Sequence, residues 1–400
     1  MSEITLQMLL QASSSGGPSA LSSITPLKPA GGAQAAIAPA KYAARTGSVG
    51  TYVFSTRFVD GEPEKTVLID SSQSQGNRVE QALALAIADG NPVLGRLPRI
   101  RVTYSIDDQV AEFSDLTLPH RGFDGHVRAG RTVDGRPVTE DPAYRAARDA
   151  TPANAWGLLN LSPVSLVFGS WDATRKAHQG RWPAALTGET VGVLTDQDLS
   201  PTDLGKGGAR VDPVGMSFTL SKEAKQQIAD RQKAELSDAT YQAFLDAKGK
   251  PSVLGLGGIP PTLGQLGLVS CRQIIRSRVL SFATLRQVRF GRGAEGDAAV
   301  RSVLAALAIN GVVRADAELF LRAHCHLVEA GPTITEIDQR QGRTVAVELP
   351  SFDQVDDLLA QAIDHATRVA GLDWTGQVFE VQGDPAIVAA AIDDSDGGGN

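Results

Sequence analysis

The chain has 400 residues, 42% of them hydrophobic and 21% charged, which suits a folded protein with one large core or two smaller ones. Its two cysteines, Cys271 and Cys325, fit no zinc spacing and point to a reduced, cytoplasmic setting. The net charge of −7 argues at first against a polyanionic partner, but residues 351–400 alone carry ten acids against one base, Arg368, which leaves residues 1–350 net positive. Residues 265–293 hold Arg272, Arg276, Arg278, Arg286, Arg289 and Arg292 with no acid among them. Charge this polarised can form a basic groove on one face and an acidic one elsewhere. No apolar run approaches the ~18 residues a membrane helix needs, and no basic start followed by an apolar core marks a secretory signal.

In chain order, residues 1–50 are rich in Ser, Gly, Ala and Pro and read as a short apolar element followed by a loosely structured arm. Residues 51–59 are a β-rich run, and Asp60-Gly61-Glu62-Pro63 turns the chain into a strand over 66–70. A helix is expected over about 77–88, then strands over 99–105 and on to 113. Residues 114–160 are irregular, with a short helix over 152–159. Strands are expected over 164–168, 189–194 and 213–220, and a polar helix over 221–247 capped by Ser221. Residues 249–267 form a long Gly/Pro-rich loop of the kind that carries function. Strands follow within 269–290, a helix over 295–310, strands over 319–327 and 344–349, and a closing helix over 352–370. Strands and helices mix without regular βαβ alternation, which predicts an α+β fold. The domain reading is an arm over 1–50, one core over 51–392 with insertions at about 114–160 and 196–267, and an acidic tail over 393–400.

The most informative segment is Asp70-Ser71-Ser72-Gln73-Ser74-Gln75-Gly76-Asn77-Arg78-Val79-Glu80. Amides, hydroxyls and backbone N–H groups at a strand-to-helix junction suit sugar, phosphate and base edges. The plain alternative is an elaborate helix N-cap. Gly205-Lys206-Gly207-Gly208-Ala209-Arg210 offers N–H groups and two cations to a phosphate, although it has no Walker spacing and also fits a surface loop. Gly255-Leu256-Gly257-Gly258-Ile259-Pro260-Pro261 is no dinucleotide fingerprint; such a loop could wedge between bases or dock on a neighbouring subunit. His324-Cys325-His326 would share one strand face but lacks further ligands, so no metal and no cofactor are expected. His120-Arg121 near Asp124, and Trp171-Asp172 near Arg175-Lys176, set rings beside cations, as single-strand binders do; a packed tryptophan and solvated charges are the alternative. No Ser-His-Asp or Cys-His arrangement can be read from spacing.

Four of these stretches, in order, resemble the signatures of the type I-U (also called I-G) CRISPR RAMP backbone protein. They are the run Ile69 to Glu80; Leu118-Pro119-His120-Arg121-Gly122-Phe123-Asp124; the run Ser162 to Asp172; and the run Gly208 to Gly215. The opening Pro39-Ala40-Lys41-Tyr42-Ala43 is similar as well, and the likeness spans about residues 37–290. The Ala209 position and the arm before Ile37 depart from the family pattern. The resemblance implies a modified RRM-like, ferredoxin-type core with thumb and finger insertions, and a non-catalytic role. Copies would polymerise along one guide RNA (crRNA) as the backbone of a Cascade surveillance complex and present its bases to target DNA. Implied partners are further copies of the chain, a guide-processing and capping subunit, a large PAM-reading subunit and a recruited helicase-nuclease; no membrane is implied. The thumb would be residues 249–267 or 127–140. The competing reading is a RAMP-type endoribonuclease using Asp70, Asp124, Asp172 or His120.

The expected RNA contacts are Lys41, Tyr42, Ser72, Gln73, Gln75, Asn77, Arg78, His120, Arg121, Trp171, Arg175, Lys176, Lys206, Arg210, Arg276, Arg286 and Arg289. A protein that holds a guide should grip its backbone and leave base edges free. On this reading Arg78→Ala or Arg121→Ala lowers the salt slope of binding by roughly one unit or less.

Overall fold

The computed structural model describes residues 2–43, 51–106, 109–172, 175, 180–199, 210–215, 217–246, 250–259 and 267–394. The chain divides into two compact units, one of Met1–Tyr42, Tyr52–Gln197 and Ser270–Asp384, the other of Ala43–Thr51, Asp198–Val269 and Pro385–Asn400. In chain order the first unit begins with β1 (Ser2–Glu3), α1 (Leu6–Ser13), β2 (Ala20–Pro29), β3 (Phe54–Val59), β4 (Glu62–Asp70) and α2 (Ser72–Ala88). Next come β5 (Arg99–Ile106), β6 (Gln109–Ser114), α3 (Gly125–Ala129), α4 (Pro142–Arg148), α5 (Trp156–Leu161) and α6 (Val164–Val167). They lead into β7 (Ser170–Trp171), β8 (Arg181–Trp182) and β9 (Leu186–Leu194). An excursion in the second unit carries α7 (Lys222–Gln232) and α8 (Asp238–Leu245). The first unit resumes with β10 (Cys271–Ser281), α9 (Phe282–Leu285), α10 (Gly293–Ala317), β11 (Phe320–Arg322), β12 (Cys325–Glu329), β13 (Ile334–Asp338), β14 (Thr344–Glu348), α11 (Phe352–Ala370) and β15 (Val378–Gln382). The last helix, α12 (Pro385–Asp394), belongs to the second unit.

Among the described residues the main sheet has ten strands, in the order β1-β14-β13-β2-β10-β9-β4-β3, with β12 also pairing β2 and β11 pairing β12. β10 sits at its centre, with Ile274 opposite Leu27 on one side and Gly192 on the other. Alternation turns Ile274, Arg276, Arg278 and Leu280 inward along β10. Helices α2 and α10 pack together, and Gly311 makes that approach possible: a Cβ there would lie 2.5 Å from Cγ1 of Val79. Val79 and Leu83, buried on the facing side of α2, each contribute about 1.5–3 kcal/mol by leaving water. Helix α11 is amphipathic: its Val355, Leu358, Leu359, Ala362, Ile363 and Ala366 stripe is buried, and it packs on α10. A smaller sheet, β15-β5-β6, and the β7–β8 ribbon complete the first unit.

The architecture is α+β, as the irregular alternation of elements predicts. Several local expectations change. The segment read as an arm contains α1 and β2, and β2 is an interior strand of the sheet. Residues 164–168, read as a strand, begin with the buried helix α6, where Pro163 presets the helical φ and tertiary burial overrides β propensity. The helix expected over 221–247 breaks in two, because Ser237 caps a second start by accepting the Thr240 N–H at 3.0 Å. No strand forms within 213–220 among the described residues. His324 has φ +60° in the turn between β11 and β12, so it does not share a strand face with His326. Helix α10 is long and apolar enough to cross a membrane, with a hydropathy of 1.4, contrary to the sequence reading, but 89% of that window is buried inside the protein.

Candidate nucleic-acid interface

β4 ends at Asp70, whose side chain is fully buried, and Ser71 caps α2 by accepting the Ser74 N–H. The helix therefore starts earlier than the sequence predicts. The amides and hydroxyls of residues 72–77 lie in its first turns rather than in a loop. Asp70 accepts hydrogen bonds from Ser74 Oγ at 2.9 Å, Gln75 Nε2 at 2.6 Å, Arg78 Nε at 3.1 Å and Arg322 Nη2 at 2.7 Å. Burial alone would raise its carboxyl; the bonds from Arg78, Gln75 and Ser74 and the charge of Arg78 outweigh burial and hold it below the ordinary range. Arg78 also donates to the carbonyls of Phe320, at 2.6 Å, and Leu321, at 2.8 Å. Gln75 passes the network on by accepting from Arg278 Nη2 at 3.1 Å, and Asp316 of α10 holds both Arg278 and Arg276. Arg276 also donates to Thr25 of β2.

A second network ties the other sequence motifs together. Arg121 grips Glu80 of α2 with two donors and the Gly169 carbonyl with a third, at 2.9 Å. Its φ of +51° is one of the few left-handed non-glycine positions, which fits a residue placed by its side-chain contacts. Gly122 follows, its N–H bonded to Ser165 Oγ, and a Cβ there would lie 3.0 Å from that of Ser162. Burial pushes Glu80 up to about 7 against the pull of Arg121, with Asp115 adding to the rise. Asp115 is itself pushed up to about 6 by burial, which bonds from Ser162 and the Ile100 N–H oppose.

Beyond Gly169 the β7–β8 ribbon alternates. Ser170 and Trp182 pair on the inner face and are buried; Trp171 and Arg181 pair on the outer face. Trp171 is 54% exposed, and the Arg181 guanidinium lies over its ring, 5.0 Å from the centroid. Asp172 is buried between Arg128 and Arg175, each 3.5 Å away. A second pair sets Arg292 over Trp156 at 3.8 Å.

Placed on this structure, the expected RNA contacts divide. Lys41, Gln73, Asn77, His120, Trp171 and Arg289 are exposed on the first unit, with Tyr42 and Ser72 half-buried; Arg210 is exposed on the second unit. The other contacts need correction. Gln75, Arg78 and Arg121 face inward onto carboxylates, carbonyls and Arg278, and Arg276 is buried. Arg286 donates to the Ala12 and Pro18 carbonyls, and Arg175 is committed to Asp172 and Asp149. A guanidinium turned onto protein carboxylates and carbonyls presents fewer of its five donors to an outside phosphate. Lys176 and Lys206 lie outside the described residues. Sequence reasoning missed Arg322, Glu80 and Arg181, because each gains its role from a partner distant in sequence or across a strand pair. No group of acids, histidines and cysteines among the described residues could hold a metal ion.

The class that emerges is an α+β protein whose motif residues brace one another inside, with cations, amides and one aromatic ring left outside. Residues 21–197, somewhat under half the chain, match the family model described as CRISPR-associated protein GSU0053. The match runs from β2 through β9, takes in the Arg121–Glu80 network and the ribbon but only the Asp70–Arg78 part of the first network, and supports a role in CRISPR defence. No curated protein matches the chain.

Proposed function

We propose that this protein is a non-catalytic, guide-RNA-binding backbone subunit of a type I-U/I-G CRISPR surveillance complex, built on an RRM-like core, with several copies lying along one crRNA. The observation that carries this reading is the match of residues 21–197 to a CRISPR-associated family. The topology supports it. In chain order β2, α2, β9, β10, α10 and β13 form a βαββαβ series, and their sheet order, β13-β2-β10-β9, is fourth-first-third-second, the ferredoxin-like arrangement. The β3–β4 hairpin and the excursion of residues 198–269 are then insertions into that core.

The chemistry of the surface favours binding over cleavage. The aspartates a nuclease would draw on are engaged in structure: Asp70 in its network, Asp172 between two arginines, and Asp124 accepting the His120 and His126 N–H groups at 3.0 and 2.9 Å. What faces outward is the set a backbone-gripping protein uses, Lys41, Gln73, Asn77, His120 and the Trp171–Arg181 pair. Size-exclusion chromatography with light scattering on guide RNAs of increasing length tests the reading. Protein copies per RNA should rise in steps with length; a fixed stoichiometry, or no binding, overturns it. Regularly spaced cuts in labelled guide RNA with Mg²⁺ would overturn the non-catalytic part.

A further inference from the structure

We infer that the outer face of the β7–β8 ribbon is a nucleobase-stacking subsite, in which an unpaired base of single-stranded RNA lies on the open face of Trp171 while Arg181 covers the other face and attracts that nucleotide's phosphate. The inference rests on the RNA-binding reading above and assigns it a contact.

Three observations converge on it. The ribbon's register makes Trp171 and Arg181 direct cross-strand partners, so the cation is held beside the ring by backbone pairing rather than by chance. The inner face anchors the ribbon: Trp182 and Ser170 are buried, the Asp172 N–H bonds the Gly180 carbonyl at 3.0 Å, and buried Asp172 is clamped by Arg128 and Arg175. The entry is anchored too. Arg121 fixes the Gly169 carbonyl to Glu80 of α2, and Gly169 itself has φ +80° with a Cβ position only 2.8 Å from the Ala184 nitrogen. A rigid support therefore presents an indole that keeps 54% of its surface in water.

The chemistry selects the ligand. An open indole face takes a flat π system. The guanidinium already on the ring disfavours a cationic guest and favours one that carries negative charge. A nucleobase with its phosphodiester meets both conditions, and stacking asks nothing of base identity, since every base has a π-face. Arg181, absent from the contacts expected from sequence, thereby becomes a binding residue, and Arg121 a positioning residue for the ribbon.

Fluorescence anisotropy of the full chain with a fluorescein-labelled oligouridylate of about ten nucleotides tests this, a length within the usual single-site range. Trp171→Ala should weaken binding roughly 5- to 150-fold, the contribution of one base–aromatic stack, with the salt slope unchanged. Trp171→Phe should restore most of the affinity. Arg181→Ala should lower the salt slope by up to about one unit, and Arg181→Lys should restore that slope. If Trp171→Ala binds the oligomer as the wild type does, the subsite is wrong, and the stepwise assembly of the wild type on long guides keeps the proposed function standing. The subsite is equally wrong if Trp171→Ala spares the oligomer but blocks stepwise assembly, since the ring then serves a contact between copies. If Trp171→Ala weakens binding and Trp171→Phe fails to restore it, stacking is refuted whatever the variants' stability. If the wild type binds neither oligomer nor guide, the proposed function falls first.

Discussion

Asp70→Asn isolates the network that holds β4, α2 and β11 together. The substitution keeps the shape, but it replaces one acceptor oxygen with an amide that points N–H groups at donors. The native carboxylate accepts from Arg78, Arg322, Gln75 and Ser74 in a fully buried position. Removing one partner of a buried ion pair typically costs about 3–5 kcal/mol, and each charge-assisted bond contributes about 1.5–3. The two guanidiniums retain 23% and 24% exposure and can partly rehydrate, which keeps the expected loss near the lower end, about 3 kcal/mol. Urea unfolding should show the loss as a lower midpoint, and hydrogen exchange should localise it to the first turns of α2. A second arm compares Arg78→Ala. Because its donors are spent on Asp70 and two carbonyls, it should lose stability comparably and leave the salt slope of RNA binding unchanged. A loss below about 1 kcal/mol for Asp70→Asn, together with a salt slope lowered by about one unit in Arg78→Ala, would refute the reasoning and return Arg78 to the phosphate contacts.

Three further outcomes follow from the same structure. Arg121→Ala should destabilise the chain by about 1–3 kcal/mol in a melting or urea experiment, because it removes the donors from buried Glu80, whose raised carboxyl then takes a proton, and frees the Gly169 carbonyl. Glu80 should give a pH signature. Its carboxyl rises from 4.5 unfolded to about 7 folded, so the folded chain holds a proton that the unfolded chain releases; the associated stability is full below about 4.5 and is lost as pH rises to about 7. Glu80→Gln should therefore flatten that part of the stability–pH curve, and an unchanged slope would count against the raised value. Gly169→Ala should cost about 1–3 kcal/mol by melting temperature, since the left-handed backbone and the crowded Cβ position both oppose it, and it should weaken oligouridylate binding by displacing the ribbon.

Much of the element order was legible in the chain. Helix α11 falls on its predicted span because its signals are local: a Ser351–Gln354 capping box, an apolar stripe at helical spacing and Gly371 in the left-handed region after the last turn. The end of β4 at Asp70 was also readable from the chain, and the polar character of the segment after it from composition. The direction those side chains face was not. Gln75, Arg78 and Arg121 have the chemistry of RNA ligands, and their inward orientation depends on Arg278, Phe320, Leu321, Glu80 and Gly169, partners that only folding brings near. Arg181 became visible only through its pairing with Trp171, because cross-strand register is set by the sheet and not by spacing along the chain. The sequence by itself determined residue chemistry, the limits of α11 and the irregular mixing of strands and helices. The tertiary structure decided which polar groups spend their hydrogen bonds inside the core and which remain free for a partner, since a buried donor must be satisfied by whatever the fold sets beside it.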